Sequence, residues 1–361
     1  MKNNLILGIL FCSFYTLNFS QTDAEKAKLK GRSAIELMDE GKIKESIKLL
    51  EEAKELDPSE IDYTYEMGYA YYLAKDYKKT IKLLESIVDN VRSSDRVYQL
   101  LGNSYDLIKK TDKAVETYKK GLDRFPNSGN LFLELGVIQL MKKDYNKALN
   151  YFETGIDKAP DFSSNYYWAA KLYLSSQEEV WGMVYGEIFM NLERNSRRTS
   201  EMSKLLYDTY KSEIKFSSDT SYSVSFSKSS RVIMKENSEE ILKLPFGIGM
   251  YEPTIMIAIG VDIKSIDVNT LNTIRTNFVQ VYYDNKSFKS YPVCLFEYQK
   301  MLKDAGHLDA YNHWVLMKGD EKLFEEWLEK NKDAWDAFVT YFNENKLEIT
   351  EKNKFSSSQF E

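Results

Sequence analysis

Apolar residues recur three and four positions apart between residues 27 and 175, which is the spacing of an amphipathic α-helix. In one such segment, Tyr98, Leu101 and Tyr105 fall on a single helical face. Short polar stretches separate these segments, and a proline follows several of the second segments of a pair. The pattern therefore predicts a series of short helix pairs joined by tight turns.

The predicted helix pairs repeat every 34 residues, as the spacing of Gly68, Gly102 and Gly136 shows. The same interval separates Pro126 from Pro160. Glycine inside a helix costs about 1 kcal/mol relative to alanine, so a compensating contact is expected at each position. We predict that each glycine faces the second helix of its own pair at closest approach, where a side chain would push the two helices apart.

Other columns of the repeat hold small and aromatic residues, such as Ala114 with Ala148 and Tyr118 with Phe152. Together with the proline positions, these columns resemble the tetratricopeptide repeat (TPR) family. The resemblance covers residues 27–175 closely and 176–213 loosely. It implies a mainly α fold, an α-α superhelix whose units are 27–60, 61–94, 95–128, 129–162 and a divergent 163–196.

A stack of such helix pairs has a concave face lined by the first helix of each unit. The resemblance implies that this groove holds an extended or helical peptide from a protein partner. The predicted lining residues are Tyr65, Tyr69, Tyr72, Gln99, Asn103, Asp106, Leu133, Val137, Leu140, Tyr167 and Lys171. Two alternatives are that these tyrosines merely pack at unit junctions, or that residues 215–260 fill the groove.

The chemistry of the lining favours an aromatic or aliphatic peptide, because rigid tyrosine side chains give contact area at a low cost in entropy. A clamp for a C-terminal carboxylate is less well supported. It would need paired Lys or Arg and Asn residues, and only Asn103 and Lys171 qualify, two units apart.

The N-terminus has the features of an export signal. Met1 and Lys2 provide a short positive end, residues 5–19 are apolar, and Ser20 precedes a plausible cleavage point. The apolar run is shorter than the ~20 residues that a membrane span needs. We predict a signal peptide at 1–20, cleaved from a periplasmic or secreted protein without a membrane span. An uncleaved anchor and a lipoprotein modified at Cys12 are the alternatives.

Composition changes after residue 214, and no family resemblance is identified for this half of the chain. The array with its closing helices is predicted to occupy 27–213. The serine-rich stretch 214–235 predicts a linker or a short strand, 236–350 a mostly helical domain, and 351–361 a disordered tail. Helices are predicted at 268–283, 292–306 and 320–342.

Candidate catalytic and nucleic-acid-binding features are weak. The net charge of −6 argues against general binding to a phosphate backbone. The two histidines, His307 and His313, do not have the spacing of a zinc site, and no G-x-S-x-G nucleophile motif is present. Cys294 lies in an apolar stretch and is predicted to be a buried thiol.

These observations predict a non-catalytic scaffold that binds a protein or peptide and needs no metal or cofactor. They do not predict its oligomeric state. The alternative is that the C-terminal half is an enzyme or a carbohydrate-binding module recruited by the repeats. In that interpretation Trp314, Trp327 and Trp335 would form a platform on which a sugar stacks.

Overall fold

The computed structural model describes residues 22–218, 221–228 and 244–360, so the predicted signal peptide lies outside the described residues. Helices dominate the described part, as the sequence predicts. They are α1 (Asp23–Asp39), α2 (Ile43–Leu56), α3 (Asp62–Leu73), α4 (Tyr77–Glu85), α5 (Asp95–Leu107), α6 (Thr111–Arg124), α7 (Gly129–Met141), α8 (Tyr145–Lys158), α9 (Ser163–Tyr173), α10 (Glu179–Leu192), α11 (Arg197–Glu213), α12 (Glu252–Ile259), α13 (Val268–Asp284), α14 (Cys294–Asp304), α15 (Leu308–Leu316), α16 (Glu321–Lys330) and α17 (Lys332–Glu344).

One antiparallel hairpin forms the sheet of the described residues, and a π-helical turn at Gly247–Tyr251 precedes α12. Its strands are β1 (Ile214–Ser218) and β2 (Ser221–Val224), with Ile214 opposite Val224. The hairpin falls where the sequence predicts a linker or a short strand. It follows α11 directly, and in β2 the half-buried Tyr222 and Val224 alternate with the exposed Ser221 and Ser223.

The chain divides into two compact units. The first comprises the described residues up to 93 together with 104–109, and the second comprises 94–103 together with the described residues from 110 onward. The division therefore passes through α5. Within the first unit, α1 packs against α2 and α3 against α4, and within the second unit α7 packs against α8 and α9 against α10.

The helical glycines occupy the places of closest approach, which confirms the sequence prediction. A Cβ added at Gly102 would stand 2.1 Å from the ring of Tyr118 in α6, and one at Gly136 would stand 2.3 Å from the ring of Phe152 in α8. At Gly68 the nearest atom, on Leu84 of α4, would lie 3.0 Å away. Each glycine thus permits the first helix of a pair to lie directly on the second.

The turns inside the helix pairs carry the same period in their backbone. Gly41, Lys75, Lys109 and Lys143 all have positive φ, between 60° and 77°, and successive members lie 34 residues apart. A left-handed residue at this place ends the first helix and reverses the chain. Lysine tolerates the left-handed region less well than glycine, so three of the four turns hold a mildly unfavourable residue.

One hydrophobic core extends from Ala148 in α8 to Phe360, within the second unit. Helix α10 lies at its centre, since every residue of this helix except Leu192 is buried. The array residues before the predicted boundary at 214 and the helices after it share this core. The division into an array and a separate C-terminal domain stays a prediction.

Two features of the C-terminal half differ from the sequence prediction. The apolar segment 320–342 forms two helices, α16 and α17, because the chain turns at Asn331. Residues 351–360, predicted to be disordered, are packed instead. Phe355 is 1% exposed and Phe360 is 8% exposed, which removes two large apolar side chains from water.

Candidate functional site

The predicted lining residues of the first unit form a tyrosine stripe on α3. Tyr65, Tyr69 and Tyr72 are four and three residues apart and so share one helical face. Tyr69 is 38% exposed, whereas Tyr65 and Tyr72 are half-buried. The ring of Tyr72 packs edge-to-face on Tyr77 of α4, with centroids 5.6 Å apart. Asp106, also in this unit, is half-buried.

In the second unit, Gln99 and Asn103 of α5 converge on a carboxylate that is not among the predicted lining residues. Glu134 of α7 accepts hydrogen bonds from Gln99 Nε2 at 2.8 Å and from Asn103 Nδ2 at 3.4 Å. The Asn103 side-chain oxygen accepts a further bond from the Tyr118 hydroxyl. The Asn103 amide is therefore held in one orientation. One repeat of 34 residues after position 99 is position 133, next to Glu134. This register is the only sequence signal that could have indicated Glu134.

An apolar stripe accompanies these amides on α7. Leu133, Val137 and Leu140 are each half-buried and pack against the large core. They are four and three residues apart and so lie on one helical face. Each retains part of its apolar surface for a further contact.

Tyr167 and Lys171 on α9 are engaged by α11, so they do not line an open face. Tyr167 is 5% exposed, and its hydroxyl donates a hydrogen bond to Glu201 of α11 at 2.7 Å. Lys171 Nζ bonds the other oxygen of the same carboxylate at 2.7 Å. The sequence predicts an open inner face for the last unit, whereas α11 places Glu201 against it.

A buried ion pair lies at the centre of the second unit. The guanidinium of Arg275 in α13 donates two hydrogen bonds, at 2.7 and 2.8 Å, to the carboxylate of Glu187 in α10. Gln299 and Tyr311 donate to the same carboxylate at 2.6 and 2.9 Å, and Asn312 accepts from Arg275 Nε at 2.9 Å. Burial opposes the charge of Arg275, but the Glu187 carboxylate outweighs it and raises the pKa of the guanidinium.

This polar cluster borders a cavity of about 20 Å³, lined by Glu187, Arg275 and Gln299 among mostly apolar residues. Such a volume has room for about one water molecule. It does not admit an organic substrate. The cluster therefore joins α10 to α13, α14 and α15 rather than forming an active site in this conformation.

The other residues considered for chemistry are packed as structural side chains. Trp314 is buried, the ring of Trp327 stacks on His313 at 4.1 Å, and Trp327 and Trp335 meet at 79°. These tryptophans do not form a flat platform for a sugar. Burial raises the pKa of the Cys294 thiol to about 12, which leaves it protonated at neutral pH.

Neither a metal site nor a membrane span is found among the described residues. No three His, Cys, Asp or Glu side chains in this part of the chain lie close enough together to hold a metal ion. No described helix combines the length and the apolar character that crossing a bilayer requires.

His313 is the one buried histidine of the described residues. It is 1% exposed, its Nδ1–H donates to the Asp309 carbonyl at 2.9 Å, and its Nε2 has no hydrogen-bond partner within the described chain. Burial lowers its pKa. The folded protein therefore holds this ring neutral at pH values where an exposed histidine gains a proton.

We expect acidification to destabilise the second unit through His313. The unfolded chain takes up a proton near its ordinary pKa of about 6.5, before the folded chain does. The stability that His313 contributes is thus complete above that pH and declines below it. Unfolding by denaturant at pH ~7.5 and ~5.5 should show a smaller pH-dependent loss for His313→Gln than for wild type. An equal reduction in His307→Gln would contradict this assignment.

The family model of the tetratricopeptide repeat matches residues 95–128. Among solved structures, PilF of Pseudomonas aeruginosa is 18% identical, with a TM-score of 0.45 over 53% of this chain and 86% of that one. A thermophilic TPR protein of Thermus thermophilus is 14% identical, with a TM-score of 0.42 over 50% and 98% of the two chains. MamA of Desulfovibrio magneticus RS-1 is 16% identical, with a TM-score of 0.37 over 48% and 98%.

No curated protein sequence matches the chain significantly. The fold and the matched repeat nevertheless agree with each other. The family match identifies residues 95–128 as a tetratricopeptide repeat, and the 34-residue period and the glycine contacts show that it stands in a series of helix pairs built in the same way.

Proposed function

We propose that this protein is an exported scaffold that binds a protein or peptide partner through the inner faces of its first helices. The observation that carries the proposal is the tyrosine stripe of α3. Tyr69 keeps 38% of its surface exposed next to two half-buried tyrosines, so the three rings form a partly exposed aromatic surface on one helix. Exposed tyrosines with few rotatable bonds are typical of surfaces that contact other proteins.

In the second unit, the face formed by α5 and α7 supports the same role. Its apolar stripe of Leu133, Val137 and Leu140 offers contact area to aliphatic or aromatic side chains. The fixed amides of Gln99 and Asn103 lie on the neighbouring helix and offer hydrogen-bonding groups to a peptide backbone. This combination favours binding over catalysis, because it contains no activated nucleophile.

Export is part of the proposal and rests on the sequence of residues 1–20. Fractionation of cells that express the whole chain tests it. We expect the mature protein outside the cytoplasm and shortened at about residue 20, as mass spectrometry of its N-terminus would show. A full-length protein in the cytoplasm would refute this part alone.

Substituting Tyr69 with alanine should weaken partner binding at least ~5-fold, because an anchoring aromatic side chain often contributes more than 1 kcal/mol to an interface. The partner is first identified by crosslinking from a photoreactive residue at position 69. Affinity is then measured with that purified partner. The matched control is Tyr145→Ala on α8, since Tyr145 is a tyrosine 55% exposed on a second helix.

The control should bind like wild type. Equal binding by Tyr69→Ala and wild type would exclude the α3 stripe as the contact surface. A matching loss in Tyr145→Ala would place the interface on the second helices instead.

A further inference from the structure

The C-terminal segment 347–360 lies against α8, α9 and α10 and has a local conformation of its own. The backbone N–H groups of Lys354 and Phe360 donate to carbonyls within the segment, at Thr350 and Ser357. Residues Ser357–Gln359 form a 3₁₀ turn with a capping box at Ser356. The segment therefore forms its own turns and contacts the helices largely through side chains, as a bound peptide does.

Two phenylalanines anchor the segment in an aromatic pocket. The ring of Phe355 lies 5.7–6.0 Å from the rings of Trp181, Tyr185 and Phe246. The ring of Phe360 lies 5.4 Å from Phe246 and 6.0 Å from Tyr291. Deeply buried aromatic anchors are the usual means by which a short peptide gains affinity.

Polar contacts fix the direction and register of the segment. Lys354 Nζ bonds the Asp157 carboxylate at 2.6 Å and the carbonyl of the same residue at 3.0 Å. The Ser357 N–H donates to the Tyr185 hydroxyl at 2.8 Å, and the Ser357 hydroxyl donates to Glu153. Hydrogen bonding from Lys354 lowers the pKa of Asp157, so this carboxylate stays charged.

Side chains of α9 and α10 also hold the Glu153 carboxylate that accepts from Ser357. The same oxygen that Ser357 reaches also accepts from the hydroxyls of Tyr173 and Tyr185, at 2.9 and 3.0 Å. Tyr173 lies on α9 and Tyr185 on α10. The acceptor is thus oriented in part by residues outside the segment.

We propose that this surface, which we call the tail pocket (Glu153, Asp157, Trp181, Tyr185, Phe246 and Tyr291), is a recognition site for peptides of the form Lys-Phe-Ser-Ser-x-x-Phe. The chain's own residues 354–360 are its resident occupant. A partner that presents the same side chains competes with them for the pocket. This site is separate from the inner faces of the first helices and does not depend on them.

The test uses the full chain with Phe355→Ala and Phe360→Ala. These changes remove both anchoring rings and leave the pocket residues unchanged. The probe is a fluorescent peptide of residues 350–361, followed by anisotropy. We expect a Kd in the micromolar range for the double variant. Wild type should bind at least ~10-fold more weakly, because a tethered segment competes at an effective concentration near millimolar.

Two controls make the result decisive. Ser358→Ala changes an exposed residue of the segment, so the variant should bind the probe peptide as weakly as wild type does. A peptide with both phenylalanines replaced by alanine should not bind. Binding of that peptide to the double variant as tightly as the native one, or no binding of the native peptide to a folded double variant, would overturn the proposal.

If circular dichroism shows that the double variant does not fold, Lys354→Ala replaces it. This change removes the contacts of Lys354 with the carboxylate and the carbonyl of Asp157 at the edge of the pocket, together with its ion pair to Glu351 inside the segment. We expect the native peptide to bind this variant more tightly than it binds wild type, because the competing segment is held less strongly without the Lys354 contacts. No gain over wild type would refute displacement of the segment.

Discussion

Replacing Glu187 with glutamine is expected to lower the free energy of unfolding of the second unit by about 3–5 kcal/mol, because it leaves the Arg275 guanidinium buried without a counter-charge. Both side chains are almost fully removed from water, with 5% and 6% of their surfaces exposed. The remaining neighbours of Arg275 include the side-chain oxygen Oδ1 of Asn312 and the Tyr210 hydroxyl, which are neutral. They cannot replace a carboxylate.

Denaturant unfolding, followed by tryptophan fluorescence, measures this loss. The double variant Glu187→Gln with Arg275→Met should recover much of it, since no charge is then buried and the glutamine oxygen still accepts from Gln299 and Tyr311. The control is Asp208→Asn, which breaks the exposed pair between Lys204 and Asp208 on α11. It should cost less than about 1 kcal/mol. A loss of that small size in Glu187→Gln would show that water reaches the pair.

The sequence could predict the helix pairs because their signals are local. The 34-residue interval, the glycines and the columns around Ala114 and Tyr118 all lie within one unit or its neighbour. Packing between adjacent helices is the only tertiary contact that such a repeat needs. The same reasoning placed Gly102 against its own second helix, and the structure confirms that contact.

The buried ion pair could not be predicted in this way. Glu187 lies in an almost wholly apolar helix, and its partner Arg275 comes 88 residues later in a segment without repeats. Each residue in isolation resembles a surface charge. Only the folding of α13, α14 and α15 around α10 brings them together, and no periodic pattern specifies that arrangement.

The same limit applies to the predicted lining residues and to the tail pocket. The spacing on α9 correctly places Tyr167 and Lys171 on one face, but Glu201 covers them from a helix outside the recognised repeats. The segment 351–361 is rich in serine, which favours disorder when composition alone is considered. Its two buried phenylalanines and Lys354 find partners as far as 197 residues away in the chain, so local sequence gives no sign of them.

Substitution of Gly102 with alanine should destabilise the second unit by about 1–3 kcal/mol, although alanine is the better helix former by about 1 kcal/mol. The added methyl group would stand 2.1 Å from one atom of the Tyr118 ring and 2.6 Å from another. Tyr118 cannot easily move away, because it is 1% exposed and its hydroxyl is bonded to Asn103. The helices α5 and α6 would have to separate instead.

Thermal and denaturant unfolding of the glycine variants tests whether the loss of stability grows as the added methyl group comes closer to the facing side chain. Gly68→Ala provides the matched comparison in the first unit, since its methyl group would meet only Leu84, at 3.0 Å. That flexible side chain can shift by a few tenths of an ångström, so the helix preference of alanine should offset most of the cost. Gly102→Ala with Tyr118→Leu should regain part of the lost stability. If Gly102→Ala were instead more stable than wild type, closest approach could not be the reason for glycine in the repeat.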